Sequence, residues 1–115
     1  MSRRNLRKAA ALRRSQAPVF AALGDETRLA LVIRLCSGQP RSISQLTEGS
    51  KLTRQAVTKH LRVLEGVGMV RGVRKGRESL FQYNPEPVLG LKDYLDVVSH
   101  QWDAALARLQ ALVEE

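Results

Sequence analysis

Thr53-Arg-Gln-Ala-Val-Thr-Lys-His-Leu-Arg-Val-Leu-Glu-Gly-Val-Gly-Met-Val70 has the pattern of a two-faced helix running into a strand. Val57, Leu61 and Leu64 recur at i, i+4 and i+7, the spacing of one inward face of a helix. Arg54, Gln55, Thr58, Lys59 and Arg62 fall outside that face, so the other side of the helix is cationic and amide-bearing. Thr53 is placed to cap the helix by accepting an orphan backbone N–H, and Gly66 and Gly68 close it.

Downstream, residues 69–73 alternate as a strand does, and residues 79–83 return as a second. Arg74-Lys-Gly-Arg77 is the turn between them, with Gly76 available for positive φ. Upstream, Ser42 or Ser44 caps a short helix with Ile43 and Leu46 pointing inward, and Glu48-Gly-Ser-Lys51 turns the chain. Before it, Asp25 caps a helix in which Leu29, Val32, Ile33 and Cys36 recur at helical spacing, stopped by Ser37-Gly-Gln-Pro40. Val19, Phe20 and Leu23 form an earlier apolar stripe that Gly24 ends. Past the hairpin, Asn84-Pro-Glu-Pro87 breaks the sheet. A last helix carries Val88, Leu91, Leu95, Val98, Trp102, Leu106, Leu109 and Val113 at three- and four-residue steps. The expected order is ααααββα, mostly α with a small β-hairpin. That is a winged helix-turn-helix, a device for placing one helix in the DNA major groove.

A chain of 115 residues is one domain with a modest core. It divides into a basic N-terminal arm or helix, residues 1–15, and a winged-helix DNA-binding and dimerisation domain, residues 16–115. No apolar run approaches the ~18 residues that a membrane span needs. The basic start lacks the apolar region of a signal peptide, so the expectation is cytoplasmic, with association to the nucleoid through DNA. The charge is segregated. Residues 1–15 carry six Lys/Arg and no acid, residues 41–77 hold nine against two acids, and residues 78–115 hold seven acids against two basic groups. A merely soluble basic protein would not sort its charge so; a cationic reading surface is the footprint of a polyanion partner.

Three motifs carry a family resemblance: Phe20-Ala-Ala-Leu-Gly-Asp-Glu-Thr-Arg-Leu29, then residues 53–70, then Arg74-Lys-Gly-Arg-Glu78. In that order they resemble the ArsR/SmtB family of bacterial winged-helix repressors, over residues 17–115. The region around Pro85-Glu-Pro87 and Gln101-Trp-Asp103 is similar to a branch without recognised metal ligands. The resemblance implies a homodimer paired through its first and last helices that represses operators, its own promoter included.

The chemistry suits that partner. Gln55 can pair with an adenine edge, Arg54 with guanine, and Thr58 can offer its methyl to thymine or its hydroxyl to either partner. Lys59, His60 and Arg62 are expected at phosphates, with His60 also open to a structural role. Ser42 and Ser44 can donate to phosphate with nearby backbone N–H groups. Arg74, Lys75 and Arg77 form a wing tip that reaches phosphates or the minor groove, with Arg71 assisting. Arg28 more naturally fixes the start of its own helix than contacts DNA. The long last-helix stripe exceeds what one small core needs. Leu91, Leu95, Val98, Trp102, Leu106 and Leu109, with Val19 and Phe20, are therefore the expected dimer surface, and a two-fold dimer would suit a palindromic double-stranded operator.

No cofactor is called for. Residues 43–50 contain no Cys or His, and Cys36 reads as a buried, inert thiol. Asp93, Asp96, His100 and Asp103 lie close to one face of the last helix. They allow an alternative, metal-responsive reading, although one histidine with three carboxylates is a poor zinc set. A third reading is a winged helix that serves protein interaction alone. Catalysis has little support: the two histidines lie on separate helices, and the glycines read as caps and turns.

Overall fold

The computed structural model describes residues 2–114; Met1 and Glu115, which end the two expected segments, lie outside the described residues. The elements are α1 (Arg3–Leu23), α2 (Glu26–Leu35), α3 (Ile43–Thr47), α4 (Arg54–Gly66), β1 (Val70–Lys75), β2 (Glu78–Tyr83) and α5 (Glu86–Glu114). This is the expected order.

Each helix starts where a side-chain oxygen meets an orphan amide. Ser2 accepts from the Asn5 N–H, Asp25 from Arg28, and Thr53 from Ala56. Ser42 and Gln45 form a reciprocal capping box around α3. Residues 3–14, which the sequence allows as arm or helix, are the first turns of α1, and the helix continues past Pro18 despite the amide that proline removes. Asn84 joins three parts: its backbone N–H donates to the Met69 carbonyl, its side-chain amide to Gly68, and its Oδ1 accepts from Glu86 at the start of α5.

The core gathers Leu35, Leu46, Val57, Leu61, Leu64, Met69, Val70 and Phe81, with Leu31 and Val32 from α2 and Val19, Ala22 and Leu91 from α1 and α5. Two expectations are corrected here. The inward face of α2 is Leu31, Val32 and Leu35, while Leu29 and Ile33 are exposed, Ile33 to 71%. Burial of Leu31, Val32 and Leu35 in the shared core turns this stripe inward, and Arg28 at its start donates to carbonyls at the end of α1. Cys36, at the C-cap of α2, is consequently exposed rather than buried.

The hairpin is tighter than read from sequence. Its strands pair from Val70↔Tyr83 to Lys75↔Glu78, leaving a two-residue turn in which Gly76 takes φ 64°. Arg41 adds a short third rung, exchanging both backbone hydrogen bonds with Phe81 at 3.0 and 2.7 Å.

Helices α1 and α5 lie side by side, the N-terminal half of one along the C-terminal half of the other, with Phe20 edge-on to Tyr94 at 5.9 Å. Gly90 lies against the Gln16 side chain, whose terminal amide nitrogen is 2.9 Å from where a Cβ would stand. The pair projects from the body. The radius of gyration is 19.0 Å, against about 13 Å for a compact chain of this length.

Candidate nucleic-acid interface

Helix α4 is held by one face and presents the other. Val57, Leu61 and Leu64 are 0% exposed, whereas Arg54, Gln55, Lys59 and Arg62 are exposed on the far side. Thr58 is half-buried and its hydroxyl donates to the Arg54 carbonyl at 2.7 Å, leaving its methyl and lone pairs to any partner. Arg62 pairs with Glu65 at 2.8 Å, so part of its charge is already balanced. His60 is placed differently from its neighbours. It is half-buried on the flank of the anchored face and turns toward the start of α2, where Arg28 Nη1 stands 3.3 Å from its Nδ1.

Helix α3 positions α4 and is itself pinned by Arg34, which sequence reading assigned no role. The Arg34 guanidinium donates to the Leu46 carbonyl at 2.7 Å and the Gln45 carbonyl at 3.0 Å, satisfying the C-terminal end of α3. Nothing in the sequence flags this, because the partners are backbone atoms eleven and twelve residues away. Ser44 and Arg54 share a shallow groove between α3 and α4, while the Ser42 oxygen is occupied as a cap. In the wing, Arg74, Lys75 and Arg77 are all exposed at the hairpin tip. Among the described residues none of the three has an ion-pair partner.

The presumed dimer residues separate into two groups. Val19 and Leu91 are buried within the chain's own core. Phe20, Leu95, Val98, Trp102, Leu106 and Leu109 are exposed, Trp102 to 66%. Between α1 and α5 lies a cleft of about 720 Å³ lined in part by Lys8, Asp96, His100 and Arg108. Asp93, Asp96, His100 and Asp103 do not converge: among the described residues no group of three or more His, Cys, Asp or Glu could hold a metal ion. No helix among them is long and apolar enough to cross a membrane.

A helix-turn-helix domain model matches residues 23–73. An uncharacterized HTH-type transcriptional regulator of Bacillus subtilis, YuzN, is 37% identical across 64% of this chain and 86% of its own. The arsenical resistance operon repressor of the same organism is 32% identical across 63% of this chain and 69% of its own. Among solved structures, an ArsR-like transcriptional regulator from Rhodococcus sp. RHA1 superposes with TM-score 0.76 at 33% identity, covering 86% of this chain and 92% of that one. The chain belongs to the ArsR family of transcriptional regulators. As an ArsR-family chain it is a DNA-binding transcriptional regulator. Its α4 is the helix of the helix-turn-helix that the outward polar row makes fit for the major groove.

Proposed function

We propose that this chain works as a homodimeric repressor. It would lay two copies of α4 into successive major-groove turns of a palindromic operator, its own promoter included. The observation that carries the proposal is the division of α4, with Val57, Leu61 and Leu64 fully covered and Arg54, Gln55, Lys59 and Arg62 exposed on the other side. In this reading Gln55 and Arg54 read base edges, Thr58 offers its methyl, and Lys59 and Arg62 meet phosphates beside Ser42 and Ser44. Arg74, Lys75 and Arg77 reach along the flanking backbone.

Dimerisation is supported by the row of exposed apolar side chains on α5. Leu95, Val98, Trp102, Leu106 and Leu109 recur along one helix with Phe20 beside them, a surface no isolated chain gains by leaving wet. Binding successive half-sites requires a two-fold axis that sets the two reader helices one DNA turn apart, about 34 Å. Acting on promoter DNA would place the protein in the cytoplasm, at the nucleoid, and the proposal requires no cofactor.

A gel shift on the DNA upstream of the gene, with an unrelated duplex as competitor, tests this directly. A specific shift protecting two half-sites one turn apart is expected. Absence of any shift at low salt would sink it and favour the protein-interaction reading.

A further inference from the structure

His60 sits inside the reader helix yet takes no part in that surface. Its side chain is 23% exposed and faces a cluster at the junction of α1 and α2. Arg28 spans this junction. Its Nε donates to the Ala22 carbonyl at 2.6 Å and its Nη2 to the Ala21 carbonyl at 3.4 Å, both at the end of α1. Its Nη1 donates to His60 Nδ1 at 3.3 Å. A guanidinium only donates, so this contact is a hydrogen bond in the state where Nδ1 carries no proton and accepts. Asp25 Oδ2 stands 3.8 Å from the same nitrogen and accepts from the Arg28 backbone N–H at 3.0 Å.

We propose that Arg28 and His60 are a positioning pair that ties the reader helix to the end of α1, and that protonation of His60 releases the tie and weakens DNA binding. The inference rests on α4 being the reader. An imidazolium carries N–H on both nitrogens and can no longer accept from Arg28. It then has a cation at 3.3 Å and a carboxylate at 3.8 Å, so the ring leaves Arg28 for Asp25. The charged groups facing His60 are Asp25 and Arg28 from the start of α2. The end of α1 (Phe20, Ala21, Ala22, Leu23) offers carbonyls and no side-chain charge, and on α4 the neighbouring Lys59 and Arg62 are exposed on the outer side. Because α1 also carries Phe20 of the apolar row, the pair links the proposed dimer surface to the reading surface through one guanidinium.

The sign of the pH dependence separates this role from a phosphate contact. A histidine on phosphate gains attraction when it charges, so acid would strengthen binding. A positioning histidine loses its acceptor, so acid weakens it.

The test is fluorescence anisotropy on the gel-shift duplex at constant ionic strength, at about pH 8 and about pH 5.5. Wild type should bind about tenfold more weakly at the acid end, the worth of one hydrogen bond to a charged group. His60→Asn keeps an uncharged acceptor near the Nδ1 position and should bind like wild type at pH 8 with no acid loss. His100→Gln, on α5, should keep the full acid loss. A DNA-free readout is the ¹⁵N signature of the ring, which should show a bare Nδ1 at pH 8 in wild type. Acid-strengthened binding, an unchanged acid loss in the His60 variant, or a protonated Nδ1 at pH 8 each overturns the pair. If wild type binds no duplex, the reader assignment fails while the ring signature still decides the pair.

Discussion

Removing Arg74 and Arg77 together, each to alanine, should change how strongly binding depends on salt. Both side chains are exposed at the hairpin tip and neither has an ion-pair partner among the described residues. Each therefore brings a full charge to any phosphate it meets. A cation that neutralises one phosphate of duplex DNA adds about 0.9 to the slope of log K against log salt. Two cations per subunit are four per dimer, so the double variant should have a slope shallower by about 3.6. Over a fourfold change in salt, such as 50 to 200 mM, wild type should lose roughly 100-fold more affinity than the variant loses. Arg62→Ala is the internal comparison: its guanidinium is already paired with Glu65 at 2.8 Å, so its phosphate contact first gives up a local partner and the slope should fall less per residue. Anisotropy titrations at four salt concentrations, with dimer confirmed by sedimentation, measure both. An unchanged slope in the wing variant would refute the phosphate role of the hairpin tip, and an equal loss per residue at Arg62 would refute the argument from local neutralisation.

Three further outcomes follow from the packing. Leu61→Ala, at a site with no solvent exposure, should cost about 2–5 kcal/mol in urea unfolding and lower operator affinity by loosening α4 from its seat. Trp102→Ala should leave the helical signal intact but shift the protein toward monomer: two copies losing about 2 kcal/mol each raise the dimer dissociation constant roughly 10³-fold. Unchanged sedimentation would remove α5 from the interface. Asp25 is held below its ordinary carboxylate value chiefly by the Arg28 backbone N–H. A depressed carboxylate contributes stability above its unfolded value and loses it as pH falls through the folded one, so the loss falls below about pH 4. Asp25→Asn should flatten that part of a stability-against-pH curve, and an unaltered acid limb would show that the cap does not titrate with folding.

Element order, the Asp25 and Thr53 caps, a third cap narrowed to Ser42 or Ser44, and the anchored face of α4 were all legible along the chain. These are local: periodicity at three and four residues, and a hydroxyl or carboxylate beside the first free amides, are read within one turn of chain. The segregation of cationic residues onto the reader and the wing was equally legible, because charge is a property of composition. Tertiary structure alone decided which way α2 faces, where Cys36 lies, and what His60 and Arg34 do. Leu29, Val32, Ile33 and Cys36 form a valid helical stripe, and so do Arg28, Leu31, Val32 and Leu35. The choice between them came from the packing of Leu31, Val32 and Leu35 into the shared core, with Arg28 at the edge of that face meeting carbonyls of α1 and a ring thirty-two residues away. A pattern confined to one element says that a face is apolar, but only the neighbours packed against it say which face is buried.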